Sequence, residues 1–418
     1  MRSGLLREHD FRQLFAADTI SQVGTQVSML ALPLVAVLTL HATPLEVGVL
    51  TAFETAAFLL VGLPAGALVD RLRRRGTMVV ADLLRAALLA SVPIAWWLDL
   101  LEMPQLYVVG LLTGACTVFF DVSYQSYLPF LVGKEHLVEG NSRLELVRST
   151  AQIGGPTLAG LLVKAIGAPF ALAADAASYL VSALFLGRIR RREPLPERRP
   201  DAHLGREIME GLRFVVGNPL LRVIAACTGT ANFFGAIVNA TLVVFLAREL
   251  ALSPALIGLY FTVGGLGALA GAFLVSPFTR LVGQGPAIWL GILVGGLGGL
   301  LVPLAAPGWR LWLAAFGTIV FGIGVIVYNV NQVSFRQGLT PDELLGRMNA
   351  TMRFIVWGTL PLGGVVGGAL AGWIGVHEAL WVGAAGSLLA VVPVLVSPLR
   401  GMRQLAVTTS AGTETVTK

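Results

Sequence analysis

The sequence predicts an all-α membrane protein: twelve transmembrane helices, arranged as two six-helix bundles in pseudo-twofold parallel repeat. Three observations carry that prediction. Of 418 residues, 55% are apolar and only 13% are charged, where a soluble protein carries roughly a quarter charged residues. The apolar residues gather into runs of ~20 or more, enough to cross a hydrocarbon core. Arginine dominates alternate connections between those runs. Lipid offers the backbone no hydrogen-bond partner, so such runs must be helical. The ~10-residue alternating segments of a transmembrane barrel are not visible.

In chain order the runs are 13–39, 45–68, 77–97, 104–131, 143–165 and 168–187, then 219–247, 255–279, 285–306, 310–335, 345–372 and 376–397. Asp18, Gln22 and Gln26 interrupt the first. Arg2, Arg7, Glu8, His9, Asp10 and Arg12 precede it, and no small-residue cleavage site follows a short apolar core, so it is expected to remain as an anchor. An even number of spans puts both ends on one side. With the N-terminus inside, cytoplasmic connections hold Arg71, Arg73, Arg74, Arg75, Lys134 and Arg143, the cluster Arg188 to Arg199, and later Arg336, Arg347, Arg400 and Arg403. The opposite connections hold only Lys164, Arg248 and Arg310. Basic residues on the inner side are the rule for bilayer proteins, so both termini are expected in the cytoplasm and the chain in a bacterial-type inner membrane.

The organisation follows. Residues 1–187 form an N-terminal six-helix bundle and 219–397 a C-terminal one. Residues 188–218 form a cytoplasmic linker whose end, Leu204 to Val216, reads as an amphipathic surface helix. Residues 398–418 read as a disordered cytoplasmic tail. The halves look alike. An offset of 208 pairs Asp121 with Asn329, Ser126 with Ser334, Asn141 with Asn349, Gly155 with Gly363, Gly160 with Gly368 and Gly167 with Gly375. An offset of 210 pairs Pro44 with Pro254 and Gly48 with Gly258. Six plus six helices in parallel repeat place a binding site between the halves near the bilayer midplane.

Several function classes are excluded. The net charge of +6 sits in short connections, without an aromatic-basic recognition motif, so no nucleic-acid partner is expected. Cys116 and Cys227 lie inside apolar runs and read as packing. No phosphate-cradling loop, His/Cys cluster or nucleophile-base pair is present, so neither cofactor, metal nor enzymatic activity is expected.

The connection after the second run reads Gly66-Ala-Leu-Val-Asp70-Arg71-Leu-Arg73-Arg74-Arg75. It resembles the signature loop of the major facilitator superfamily, departing at Arg73, where the family has glycine. Phe120-Asp121-Val-Ser-Tyr124-Gln125-Ser-Tyr127-Leu-Pro129, followed by Glu139-Gly140-Asn141-Ser142, looks like the branch containing macrolide and enterobactin exporters. Gly154-Gly155-Pro156-x-x-x-Gly160 is similar to the glycine-proline motif of proton-antiporting drug exporters. The resemblance implies a secondary active transporter that exports amphipathic drugs, natural products or siderophores by alternating access, in exchange for protons. It implies that Asp70 docks on the start of span eleven near Gly346, and that Arg74 pairs with Asp121 to close the cytoplasmic side. Gly66, Asp70, Arg71, Arg74 and Asp121 are the gating set; Gly155, Pro156 and Gly160 are the antiporter-like set. The rival readings are an importer or lipid translocator of the same fold, and a membrane receptor or assembly partner that transports nothing.

Ionisable groups at membrane depth are costly, so each is a candidate. Glu54 sits ten residues into the second run with no basic neighbour at helical spacing. A carboxyl so placed suits proton coupling, with Asp18 the second candidate. Asp18, Gln22 and Gln26 recur every four residues and share one helix face. The resemblance makes that face a cavity lining. Asp82 with Arg85, and Glu145 with Arg148, are three apart and read as intrahelical ion pairs. Asp175 reads as packing, and Arg353 is open. The later runs offer Asn232, Phe233, Phe234, Asn239, Tyr328, Asn331 and Gln332 as an amide-aromatic cavity wall, or as interhelical hydrogen bonding. The expected partners are a small-molecule substrate, the proton and the lipid bilayer, with the chain acting as a monomer.

Overall fold

The computed structural model describes residues 5–69, 72–133, 136–191, 193, 204–341 and 344–403. Every regular element among them is helical. The major helices are α1 (His9–Leu34), α2 (Pro44–Val69), α3 (Arg74–Trp97), α4 (Met103–Val132), α5 (Leu137–Ile166), α6 (Ala168–Gly187), α7 (Leu204–Gly217), α8 (Pro219–Val244), α9 (Pro254–Val282), α10 (Gln284–Gly299), α11 (Trp309–Gly338), α12 (Leu345–Trp357), α13 (Thr359–Ile374) and α14 (Val376–Ser387).

Each predicted run falls largely on helix, the run 285–306 leaving it after Gly299. Ten helical stretches are long and apolar enough to cross a membrane. The other two runs lie in α5, which carries Glu139, Arg143, Glu145, Arg148 and Lys164, and in α10, which is only 16 residues long. The run predicted at 345–372 is divided at Gly358 into α12 and α13. Pro361 has no N–H to give the Trp357 carbonyl, and its ring crowds that carbonyl, so the ladder breaks there.

Local geometry recurs at the offset of 210 read from the sequence. Val35–Thr39 and Phe245–Glu249 are widened last turns of α1 and α8. The Leu40 N–H donates to the Val35 carbonyl at 3.1 Å, and the Leu250 N–H to the Phe245 carbonyl at 3.0 Å. His41 (φ 52°) and Ala251 (φ 50°) then turn the chain through the left-handed region, and proline opens the next helix at Pro44 and Pro254. At the first site Thr43 and Glu46 form a capping box: the Thr43 N–H donates to Glu46 Oε2 at 2.7 Å, and the Glu46 N–H donates to Thr43 Oγ1 at 3.3 Å.

Two compact units emerge, and neither follows chain order. One joins Met1–Ala202 with Asn232–Gly265 and Trp357–Gly383; the other joins His203–Ala231, Leu266–Val356 and Ala384–Lys418. In the first, an apolar cluster of Leu5, Phe11, Leu14, Met78, Tyr127, Leu131 and Leu186 ties together the ends of α1, α3, α4 and α6. Two of the arginines at this end reach helix-terminal carbonyls. Arg75 donates to the Leu186 carbonyl at 2.9 Å and also to that of Gly187. Arg191 donates to the Leu131 carbonyl at 2.8 Å. Cations are favoured at these carbonyl-rich helix ends.

In the second unit the predicted surface helix, α7, is docked. Glu210 pairs with Arg347 of α12, and Gly211 lies against the Arg347 backbone and Thr351. The tail prediction is corrected at its start. Residues 398–403 pack on α10, with Leu399 buried and the Gly285 N–H donating to the Met402 carbonyl at 2.8 Å. A buried leucine and a main-chain hydrogen bond hold six residues that polarity alone assigned to disorder. Residues 404–418 lie outside the described residues.

Candidate functional site

The first unit concentrates polar groups on α1, α4 and α5. Asp18 is buried on α1, and its carboxylate accepts a hydrogen bond from Gln22 Nε2 at 3.4 Å. Asp121 of α4 and Arg148 of α5 lie within electrostatic reach of it. Tyr124 of α4 interacts with Asp18, Asp121, Arg148 and Glu145. Three helices thus bring three acids, a guanidinium and a phenol together. Asp121, Glu145 and Arg148 are exposed, so this cluster opens outward from the packed interior. The spacing of Glu145 and Arg148 pointed to an intrahelical pair; the long-range association with Asp18 and Tyr124 was not legible from it. Gln26 belongs elsewhere. A Cβ on Gly155 would stand 2.4 Å from Gln26 Cβ, so α5 presses on α1 at that point.

The glycine-proline segment of α5 is a contact surface. A Cβ on Gly160 would stand 2.2 Å from the Pro254 carbonyl oxygen, and one on Gly258 would stand 2.1 Å from that of Pro156. The Thr157 and Thr262 hydroxyls share a hydrogen bond of 2.8 Å across the same seam. A second seam joins α2 to α13. There a Cβ on Gly48 would meet the Gly364 carbonyl oxygen at 2.5 Å, and one on Gly368 would meet that of Pro44 at 2.8 Å. Small residues allow helix backbones to approach this closely in lipid.

Glu54 lies on α2 below that second seam. A Cβ on Gly110 of α4 would stand 3.1 Å from Glu54 Cγ, and one on Gly114 would stand 2.9 Å from the Glu54 carbonyl oxygen. Ten residues from the start of α2 place Glu54 about 15 Å along the helix, near the middle of a ~30 Å core. Among the described residues its carboxyl has no hydrogen-bonding or ionic partner.

Asp82 and Arg85 do pair within α3, as their spacing predicts, and both are buried. They are also more than a helix-stabilising pair. Asp82 accepts from Ser182 Oγ of α6 at 2.6 Å. The Arg85 guanidinium lies between the rings of Phe120 (4.6 Å) and Tyr179 (4.2 Å). Asp175 of α6, buried nearby, takes hydrogen bonds from Ser28 of α1 and from Ser178 at 2.8 Å. Gly24 leaves room for it, since a Cβ there would stand 2.1 Å from Asp175 Oδ1 and displace that carboxylate. This hub locks α1, α3, α4 and α6. Removing one member of a buried pair leaves an uncompensated charge and costs ~3–5 kcal/mol. Asp82→Ala is therefore expected to lower the unfolding midpoint of the purified protein markedly, and Asp82→Ala with Arg85→Leu to recover most of the loss, both read by thermal unfolding in one detergent.

At the signature loop, Gly66 lies in the last turns of α2. Asp70 and Arg71 lie outside the described residues. Arg74 rests against α4, donating to the Ser126 carbonyl at 3.2 Å and pairing with Glu193 at 3.7 Å. Ser126 lies five residues past Asp121 on the same helix.

The proposed amide-aromatic wall is divided. Asn232, Phe233 and Asn239 belong to the first unit; Tyr328, Asn331 and Gln332 belong to the second. Phe233 and Phe234 meet edge to face at 5.2 Å, the Phe233 carbonyl packs on Gly363, and Asn239 is exposed. In the second unit Tyr328 is buried and hydrogen-bonded to Thr228 of α8. Asn331 accepts from Thr279 Oγ1 of α9 at 3.0 Å and donates to the Val327 carbonyl at 2.8 Å. For Tyr328 and Asn331, interhelical hydrogen bonding is what the fold uses. Gln332 is buried, and its Oε1 has no hydrogen-bond partner among the described residues.

Comparison with known proteins bears on this arrangement. A family model described as Major Facilitator Superfamily matches residues 14–358. The multidrug efflux pump Tap of Mycolicibacterium fortuitum is 28% identical over 376 residues, covering 87% of this chain and 89% of that protein. The enterobactin exporter EntS of Salmonella typhi is 25% identical over 374 residues, covering 89% and 87%. Among solved structures, the nucleoside transporter NupG superposes with a TM-score of 0.74 at 13% identity, covering 92% and 98%. A bacterial homologue of the iron transporter ferroportin superposes at 0.76 with 18% identity, covering 94% and 99%. The structural likenesses establish the fold.

Proposed function

The chain belongs to the major facilitator superfamily, a transporter and not an enzyme, and on that premise we propose that it exports amphipathic small molecules in exchange for protons. The reading takes twelve spans in two six-helix repeats, both termini in the cytoplasm of a bacterial cell, and alternating access between the halves. Support for export comes from the multidrug efflux pump and the enterobactin exporter that align along nearly the whole chain. Support for proton coupling comes from one observation above the others. Asp18, Asp82 and Asp175 all have hydrogen-bonding partners, whereas Glu54 has none among the described residues. A lone carboxylate at membrane depth is costly. A group that takes up a proton on entering the closed site and loses it to water on opening removes that cost in each cycle.

Two further features fit this cycle. The α2/α13 and α5/α9 seams sit at the helix ends remote from the arginine-rich turns, so they form the outer closure. Arg74, held near Asp121 on α4, belongs to the inner closure, with Asp121, Gly66, Asp70 and Arg71. The cluster of exposed Asp121, Glu145 and Arg148 with half-buried Tyr124, and with Gln22 beside Asp18, then forms the polar part of the cavity, and Asn232, Phe233 and Asn239 the facing part.

The test uses inside-out vesicles carrying the protein and a fluorescent amphipathic dye. An acid lumen is expected to drive dye inward, because protons leaving the lumen run downhill as dye enters. Uptake that ignores the sign of the pH gradient would remove the coupling; dye driven out of the lumen would reverse the direction.

A further inference from the structure

Three arginines stand in a row at the start of α3, and among the described residues only two of their side chains have partners. Arg74 holds the Ser126 carbonyl and Glu193, and Arg75 holds the Leu186 and Gly187 carbonyls. The guanidinium of Arg73, the departure from the family's glycine, makes no hydrogen bond or ion pair among the described residues, and the residue is exposed; only its carbonyl is engaged, accepting from Thr77. Its side chain instead borders a groove of about 350 Å³ between α3 and α4, which Thr77, Val80 and Leu84 line from α3 and Cys116 and Phe119 from α4. Val80 and Leu84 are 55% and 50% exposed, so the groove faces outward, where a spanning protein meets lipid.

The dimensions match one molecule. From Arg73 to Leu84 the α3 axis advances about 16 Å at 1.5 Å per residue, close to the ~15 Å depth of one leaflet's hydrocarbon. The charge is at the polar end of the groove and the apolar lining continues inward from it. A guanidinium offers phosphate a planar, two-pronged donor set, and no carboxylate lines the groove to receive an ammonium headgroup.

We propose that this groove binds one anionic phospholipid, with its phosphate on Arg73 and an acyl chain laid between Val80, Leu84 and Phe119. The interaction fixes α3 and α4 to the bilayer at the point where the signature loop leaves the membrane. It goes beyond the transport reading and does not depend on it.

Native mass spectrometry of the full-length protein in detergent, titrated with dioleoyl phosphatidylglycerol or dioleoyl phosphatidylethanolamine, tests the site through lipid mass retained. Phosphatidylglycerol occupancy is expected to exceed that of phosphatidylethanolamine at least fivefold. Arg73→Ala is expected to remove the preference, and Val80→Trp to lower occupancy by both lipids by filling the groove. Arg310→Ala, at an exposed arginine remote in sequence, is expected to change neither. Equal occupancy by the two lipids in the unmodified protein would overturn the proposal. So would wild-type phosphatidylglycerol occupancy in Arg73→Ala or in Val80→Trp, or an equal loss in Arg310→Ala. Because no transport is read, failure here leaves export standing, and failure of export leaves this site standing.

Discussion

Replacing Gly160 with leucine is expected to reduce substrate export ten- to a hundredfold while leaving the protein folded. The reason is geometric. The added Cβ would stand 2.2 Å from the Pro254 carbonyl oxygen, well inside van der Waals contact, and the obstacle is backbone that cannot rotate away. Overpacking of this kind costs ~1–3 kcal/mol, and each 1.4 kcal/mol is about a tenfold change in an equilibrium. The penalty falls only on the state in which α5 and α9 touch, so it shifts the population away from that state. Gly258→Leu, which meets the Pro156 carbonyl oxygen at 2.1 Å, should act the same way. Export rate is the first measurement. The second is the labelling of a Thr262→Cys variant by a membrane-impermeant thiol reagent from the outer side, above the background of Cys116 and Cys227. Gly160→Leu should speed that labelling. Wild-type export with unchanged labelling would mean that the seam is not a gate.

Glu54→Gln is expected to abolish proton-driven export, by tenfold or more, and to spare substrate counterflow. Glutamine copies the shape of the protonated acid but carries no exchangeable charge, so the helices can still pack Gly110 and Gly114 against position 54. Exchange of labelled for unlabelled substrate needs no net proton movement and should persist. Glu54→Asp should retain part of the coupled rate, since the carboxyl remains but is set back by one methylene. Undiminished export by Glu54→Gln under an imposed pH gradient would assign coupling elsewhere, with Asp18 next in line because it already sits beside Asp121 and Arg148.

The two substitutions separate gate from coupling. A gate lesion at Gly160 should slow exchange and export alike, because both need the helices to close and reopen. A coupling lesion at Glu54 should divide them. The Asp82–Arg85 hub should do neither at constant fold: its loss is expected first as a lower unfolding midpoint.

The features legible in the sequence were those set by the solvent or by adjacent residues. Because a long apolar run in lipid has no other way to satisfy its backbone, the apolar runs fall on helix for most of their length, though that of 285–306 leaves the helix after Gly299. The turn after α1 and its copy after α8 were announced by Pro44, Pro254 and their offset, since proline and the residues around it restrict the backbone locally. Asp82 and Arg85 pair as their spacing requires. Other features needed the packed helices. Gly155, Pro156 and Gly160 could be recognised as a motif, but that the glycines face Gln26 on one side and Pro254 on the other depends on how α1, α5 and α9 approach. Tyr328 and Asn331 shared a helix face suited to a cavity or to a helix contact; the nearness of Thr228 and Thr279 decided for contact.

The sequence alone determined that this chain crosses a membrane many times, that its arginines gather at alternate helix ends, and that its family is one of transporters, because burial in lipid and charge at its surface act on each segment separately. Only the tertiary structure decided which acids have partners, where backbones touch through glycine, and which of the side chains of Arg73, Arg74 and Arg75 are held by neighbouring helices. A hydrogen bond or a close contact depends on a second helix that can lie more than three hundred residues away, as Gly368 does from Pro44, and its position is a property of the packing that no single segment carries.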